Sequence, residues 1–229
     1  NGGELTLDWS AQLLPAAVEA APPNRALVLA KGAPDPRPSR VPAAHGGGPD
    51  PFGYVWTDSD APDGPVYDWI DIETVGTPLP LSDDDRAGPI ALGFGFPFYG
   101  EPRDSVSVGS DGWLSFTATS GANGNQRLPT PGEPDALLAL FWDDLDPSAG
   151  GTVLVHADAE AGRFVAQWNE VPHYRYGGGG EPVTCQAILA ADGTIRYQYR
   201  TVADEQGCSV GIEDDAGARG LEVVFNGPY

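Results

Sequence analysis

The sequence predicts an all-β fold, an antiparallel β-sandwich preceded by an N-terminal extended arm. Short apolar stretches recur along the chain, divided by turn residues, and 31 of the 229 residues are glycine and 23 proline. No long window has helical periodicity with caps; only a short turn around residues 10–20 is conceivable. Many short strands at such spacing argue a sandwich or barrel.

The arm comprises residues 1–30. Residues 4–11, ELTLDWSA, place Leu5, Leu7, Trp9 and Ala11 on one face and Glu4, Thr6, Asp8 and Ser10 on the other, the alternation of a half-buried strand. A second apolar segment, ALVLA at 26–30, follows Pro15, Pro22 and Pro23. Residues 31–51 are dominated by proline and glycine and read as a linker.

The sandwich domain is expected over residues 52–229, with strands near 66–73, 90–96, 104–108, 112–117, 137–142, 152–156, 163–170, 183–190, 194–200, 208–213 and 221–225. Asp111-Gly112 and Asp192-Gly193 mark two hairpins, because Asp-Gly supplies positive φ at little steric cost.

Twelve basic against 33 acidic residues give a net charge of −21, which repels nucleic acid and anionic lipid headgroups. No apolar run approaches the length of a membrane span, so no membrane insertion is expected. The chain starts at Asn1 and contains no methionine, as expected of a mature secreted product or a segment of a longer protein. In an exported protein the even pair Cys185 and Cys208 reads as one disulfide, contributing roughly 3 kcal/mol through loop closure.

The stretch LGFGFPFYG, residues 92–100, resembles the nidogen-like β domain of secreted bacterial proteins and of animal matrix and cell-surface proteins. The similarity continues through VSVGSDGWLSF (106–116), LLALFWDDLDP (137–147), GRFVAQWNEVPHY (162–174), DGTIRYQYR (192–200) and CSVGIEDDAGARGLEVVFN (208–226). YVWTDSDAPDGPVYDWIDI (54–72) is similar to the lead-in of bacterial members. The resemblance implies a secreted, extracellular or cell-surface adhesion or assembly module and no catalyst.

The residues agree with that implication. No G-x-S-x-G elbow is present, and GSDGW reads as a hairpin turn. His45, His156 and His173 lack metal-ligand spacing, which excludes a zinc site. No cofactor is required. Calcium is the one inorganic candidate, with hard oxygen ligands in Asp83, Asp84 and Asp85 and in Asp143, Asp144 and Asp146. TDSDAPDG at 57–64 departs from an EF-hand, with Pro62 inside the loop and Trp69 where a bidentate Glu belongs. Trp113, Trp142 and Trp168 fall between aliphatic residues and read as core. In ALLALFWDDLDP the inner face is expected to carry Leu138, Leu140 and Trp142, and the following carboxylates to cap backbone amides or hold a cation.

Two functions are expected to compete. One is a structural protein that assembles with itself, as a homo-oligomer or filament, or with other extracellular surface components, by adding the strand of Leu5, Leu7, Trp9 and Ala11 to a neighbour's sheet. At about 3.3 Å per residue, the roughly 20-residue linker spans some 65 Å. The other is a calcium-dependent carbohydrate-binding or accessory module of a secreted peptidase.

Overall fold

The structure, a computed structural model, describes residues 9–13, 24–33, 35–175, 180–202 and 207–227. Leu5 and Leu7 lie outside them. The described residues form strands and no helix: β1 (Trp9–Leu13), β2 (Gly46–Gly47), β3 (Tyr54–Asp58), β4 (Thr77–Leu79), β5 (Arg86–Phe98), β6 (Glu101–Gly109), β7 (Trp113–Ser115), β8 (Leu137–Trp142), β9 (Thr152–Asp158), β10 (Arg163–Pro172), β11 (Pro182–Ala190), β12 (Ile195–Thr201), β13 (Ser209–Glu213) and β14 (Gly220–Phe225). An eight-stranded sheet runs β2-β3-β1-β12-β11-β10-β9-β4, and a six-stranded sheet runs β14-β13-β8-β7-β6-β5. Neighbouring strands pair antiparallel, and the two sheets pack as a sandwich.

Alternation decides the layers. On β10, Phe164, Ala166 and Trp168 face the other sheet, while Val165 and Gln167 face outward. Buried tyrosines of the large sheet then tie the layers together through their hydroxyls. Tyr199 donates to the Leu140 carbonyl at 2.5 Å and Tyr197 to the Gly211 carbonyl at 3.3 Å. Trp168 Nε1 likewise donates to the Ser110 carbonyl at 2.9 Å. The polar ends of these large side chains are thus satisfied without water.

β8 is buried throughout, as an interior strand covered on both faces must be. Leu138, Leu140 and Phe141 enter the main core. Trp142 does not join them: with Leu137 and Ala139 it belongs to the cluster on the opposite face, beside Trp113 and Leu128. The reason is a register shift against β13, where Ser209 opposes Trp142 but Gly211 opposes Ala139. That bulge flips the alternation between Leu140 and Trp142. Trp113 and Trp142 both donate Nε1 to the Ala122 carbonyl at 3.0 Å, so the loop covering them is pinned at one oxygen.

Residues 66–73, expected as a strand, form none, because they pair with side chains in place of a neighbouring backbone. Gln167, Gln186 and Gln198 stand in register on β10, β11 and β12, fully buried on the outer face. Gln198 accepts from Asp68 N at 2.8 Å and donates to Asp68 O at 2.9 Å. Gln186 does the same for Ile70, at 3.1 Å each way. The strap ends with Ile72 buried against Leu154, Val165 and Ile188. Residues 26–30 form no strand either; Leu27 exchanges two bonds with the Gln126 side chain and Val28 is 91% exposed.

The expected disulfide between Cys185 and Cys208 is not formed, and both cysteines are buried. Cys185 lies on β11 of the large sheet and Cys208 directly precedes β13 of the small one. Both side chains lie in the same apolar core, and no disulfide joins them. Burial pushes the Cys185 thiol far above its ordinary pKa.

The glutamine rungs make a testable statement. Gln186→Met removes the side-chain partner of the Ile70 N–H and C=O, which costs about 1–3 kcal/mol. Thermal unfolding should fall by the corresponding few degrees, and native-state hydrogen exchange should accelerate first at Asp68 and Ile70.

Candidate functional site: the cradle of the N-terminal arm

The arm returns to the sandwich along a continuous set of contacts. Asn24 N donates to the Pro129 carbonyl at 3.2 Å, and Arg40 exchanges backbone bonds with Phe225 at the outer edge of β14. Between them Arg37 pairs with Asp35, donates to Asn125 O at 2.8 Å and lies over the Phe225 ring at 4.7 Å.

At the middle of this path stands Lys31, the sole lysine of the chain. Its Nζ lies 2.8 Å from Asp83 Oδ1, 2.5 Å from Asp84 Oδ1 and 3.0 Å from Asp144 Oδ1, and 4.1 Å from the centre of the Tyr174 ring. Asp83 and Asp84 come from the turn before β5, and Asp144 from the exit of β8. A cavity of about 460 Å³ adjoins the ammonium, lined by Lys31, Asp35, Asn125, Asp144, His173 and Arg175 among others.

Local caps aim these groups. Asp85 accepts from Ser82 N at 3.2 Å and Arg86 N at 2.8 Å, which shapes the turn carrying Asp83 and Asp84. Asp111, in the Asp-Gly turn after β6, is wholly buried and accepts from Leu145 N at 3.0 Å and Ser110 Oγ at 2.6 Å. Its carboxyl therefore fixes where the chain leaves β8. Asp143 accepts from Asp144 N at 2.8 Å and lies 3.4 Å from His173 Nε2. Asp146 caps Ser148 N at 2.9 Å. Of the six expected calcium ligands, then, Asp83, Asp84 and Asp144 converge, while Asp85, Asp143 and Asp146 act as local caps.

Their ligand atoms lie within 4.8 Å of one another, a spacing that fits a cation. The position among them is held by the Lys31 ammonium. Sequence reading assigned Lys31 and Asp111 no role at this site; the one available signal was a single lysine among 33 acidic residues. Many aromatic side chains are core: Trp56, Trp113, Trp142, Trp168, Tyr197 and Tyr199 are buried, while Tyr67, Trp69 and Tyr174 are among the half-exposed rings.

Charge balance is tight. Burial works against the Lys31 charge, but the bonds to Asp83, Asp84 and Asp144 outweigh it and raise its pKa. Asp144 is pushed up to about 6, by burial first and by the charges of Asp84 and Asp83, with Lys31 opposing. Burial also holds the Asp111 carboxyl well above the usual range, against its bonds to Ser110 and Leu145.

Two outcomes follow. Asp144 binds its proton more tightly when folded, so its contribution to stability is complete below about pH 4 and is lost as pH rises through about 6. Asp144→Asn should therefore unfold at or above the wild-type temperature at pH 8, with the gain vanishing by pH 4, as read by calorimetry. Lys31→Met leaves three carboxylates facing one another. Discounted for screening at Asp84, which is 40% exposed, the loss is on the order of 1–2 kcal/mol, roughly 2–8 °C in Tm at low salt.

Against known proteins, a family model described as NIDO related matches residues 63–227. No curated protein and no solved structure matches the chain. The matched span contains β4 to β14, hence the whole six-stranded sheet and five of the eight strands of the large one, together with the strap and all three carboxylates around Lys31. The chain belongs to the NIDO-related family.

Proposed function

We propose that this chain is a non-catalytic extracellular structural module that self-associates by exchanging its N-terminal strand between subunits. The observation that carries the reading is the position of β1. Although first in sequence, it fills the interior of the large sheet, with Trp9, Ser10 and Ala11 opposite Tyr197, Arg196 and Ile195, and residues Trp9–Leu13 opposite Asp58–Tyr54. Among the described residues the next strand begins at Gly46.

A strand so placed can be supplied by its own chain or by a neighbour with the same pairings. The two arrangements differ only in the path of the connection, which is why exchange is a low-cost route to oligomers. Without β1, both β3 and β12 present open edges to solvent, a state that favours recapture of any matching strand. The Lys31 cluster works in the opposite direction by fastening the arm to its own sandwich. A net charge of −21 sets subunits against one another at low ionic strength, so salt favours association. An extracellular setting rests on the family; no helix among the described residues is long and apolar enough to cross a membrane.

The second reading, a calcium-dependent accessory module, is favoured by the convergence of Asp83, Asp84 and Asp144. It requires calcium to displace Lys31. Millimolar calcium should leave the thermal stability of the wild type unchanged and raise that of Lys31→Met; a gain in the wild type would favour the second reading.

Size-exclusion chromatography with light scattering tests the first reading on the full chain at low and high salt, alongside Lys31→Met. Oligomers should grow with salt and with loss of Lys31, and they should be absent when residues 1–30 are removed. A monomer under every condition contradicts strand exchange.

A further inference from the structure

The strap laid over the outer face of the large sheet has two backbone edges, and only one of them is used. In an extended segment the N–H and C=O of one residue point to one side and those of the next residue to the other. Asp68 and Ile70 turn both groups toward the Gln198 and Gln186 rungs. Tyr67, Trp69 and Asp71 accordingly turn theirs away from the sheet, where their backbone groups make no hydrogen bond to the described residues. The flanks are open as well: Val66 is 79% and Val75 58% exposed, and Asp68, Asp71 and Glu73 are exposed.

We propose that this outward edge is a docking edge for an extended, basic segment of a partner protein, which pairs with the backbone of Tyr67, Trp69 and Asp71. Unpaired backbone along an extended segment is the template that strand addition uses. Charge selects the occupant. Residues 58–73 contain Asp58, Asp60, Asp63, Asp68, Asp71 and Glu73 and neither lysine nor arginine. A second copy of the strap would meet like charge along its whole length, and so would the acidic start of the arm, with Glu4 and Asp8.

The aromatic side chains supply a seat for basic stems. Tyr67 and Trp69 stack at 6.3 Å with 27° between their planes, and both are half-exposed. Arg200 already uses one ring in this way: its guanidinium lies 4.3 Å from the Trp69 ring centre and 3.8 Å from Glu73. A lysine or arginine of the incoming segment finds the same chemistry, an aromatic face beside a carboxylate. The strap itself is fixed, because its inner edge is bonded to buried glutamines and Ile72 is fully buried. A preformed edge spares the partner part of the ordering cost.

The test uses the full chain and a short synthetic peptide alternating lysine and valine. Two controls accompany it, one of the same composition interrupted by proline and one alternating glutamate and valine. Amide exchange is followed residue by residue by NMR. The lysine peptide should slow exchange at Tyr67, Trp69 and Asp71 by about tenfold at saturation, with Asp68 and Ile70 unchanged; neither control should do so. Tyr67→Pro removes one outward N–H and should weaken the lysine peptide by about tenfold, the ordinary worth of a hydrogen bond. Equal protection by the proline-interrupted peptide, or protection elsewhere on the chain, overturns the proposal. So does unchanged affinity in Tyr67→Pro while Asp68 and Ile70 remain protected. Should that variant lose the strap, the peptide controls on the wild type still decide.

Discussion

The large sheet depends on β1, which lies between β3 and β12. β1 separates β3 from β12, so the pairing of the β2-β3 side with the rest of the sheet runs wholly through Trp9–Leu13. The N-terminal strand is therefore the joint of the sheet, and its stability sets whether two backbone edges are covered or open. β4 to β14 carry the family match, while β1 to β3 lie at one end of the large sheet, where β3 adds Tyr54 and Trp56 to the core.

Charge decides how firmly that joint is held. A chain with 33 acidic and 12 basic residues has few cations, yet its only lysine, directly after the arm, sits among Asp83, Asp84 and Asp144. Asp144 is pushed up to about 6 because burial and two neighbouring carboxylates push against one ammonium. The cluster thus holds the arm with a modest net gain, as partly exposed ion pairs do. A modest fastening suits an element whose proposed role requires release. Asp111 is the hidden support, since its buried carboxyl fixes the chain at Leu145, directly after Asp144.

Much of the sandwich was legible in the sequence. β8, β10, β11, β12 and β14 follow from alternation and from the turns at Asp111-Gly112 and Asp192-Gly193, where local chemistry and tertiary structure agree. Where they part, the partner lay outside the local pattern. Residues 66–73 alternate like a strand, but their partners are glutamines on β11 and β12, which no reading of that segment alone reveals. Trp142 follows Leu140 in strict alternation, and only the shift against β13 sends it to the other face. β3 went unrecognised because YVWTD runs into TDSDAPDG, whose Asp58 side chain in fact ends the strand by accepting from Asp60 N and Ala61 N. The acidic groups were identifiable as groups, but which three would converge depended on Lys31, more than fifty residues from Asp83 in sequence.

The register of β1 offers the most direct measurement of strand exchange. Ser10 stands opposite Arg196 across the β1-β12 pair. One chain carrying Ser10→Cys and a second carrying Arg196→Cys are mixed at high salt, incubated and oxidised. The account predicts a covalent heterodimer linked between positions 10 and 196. The contradicting result is a chain carrying both substitutions that closes its own bond while the mixture yields no cross-linked dimer.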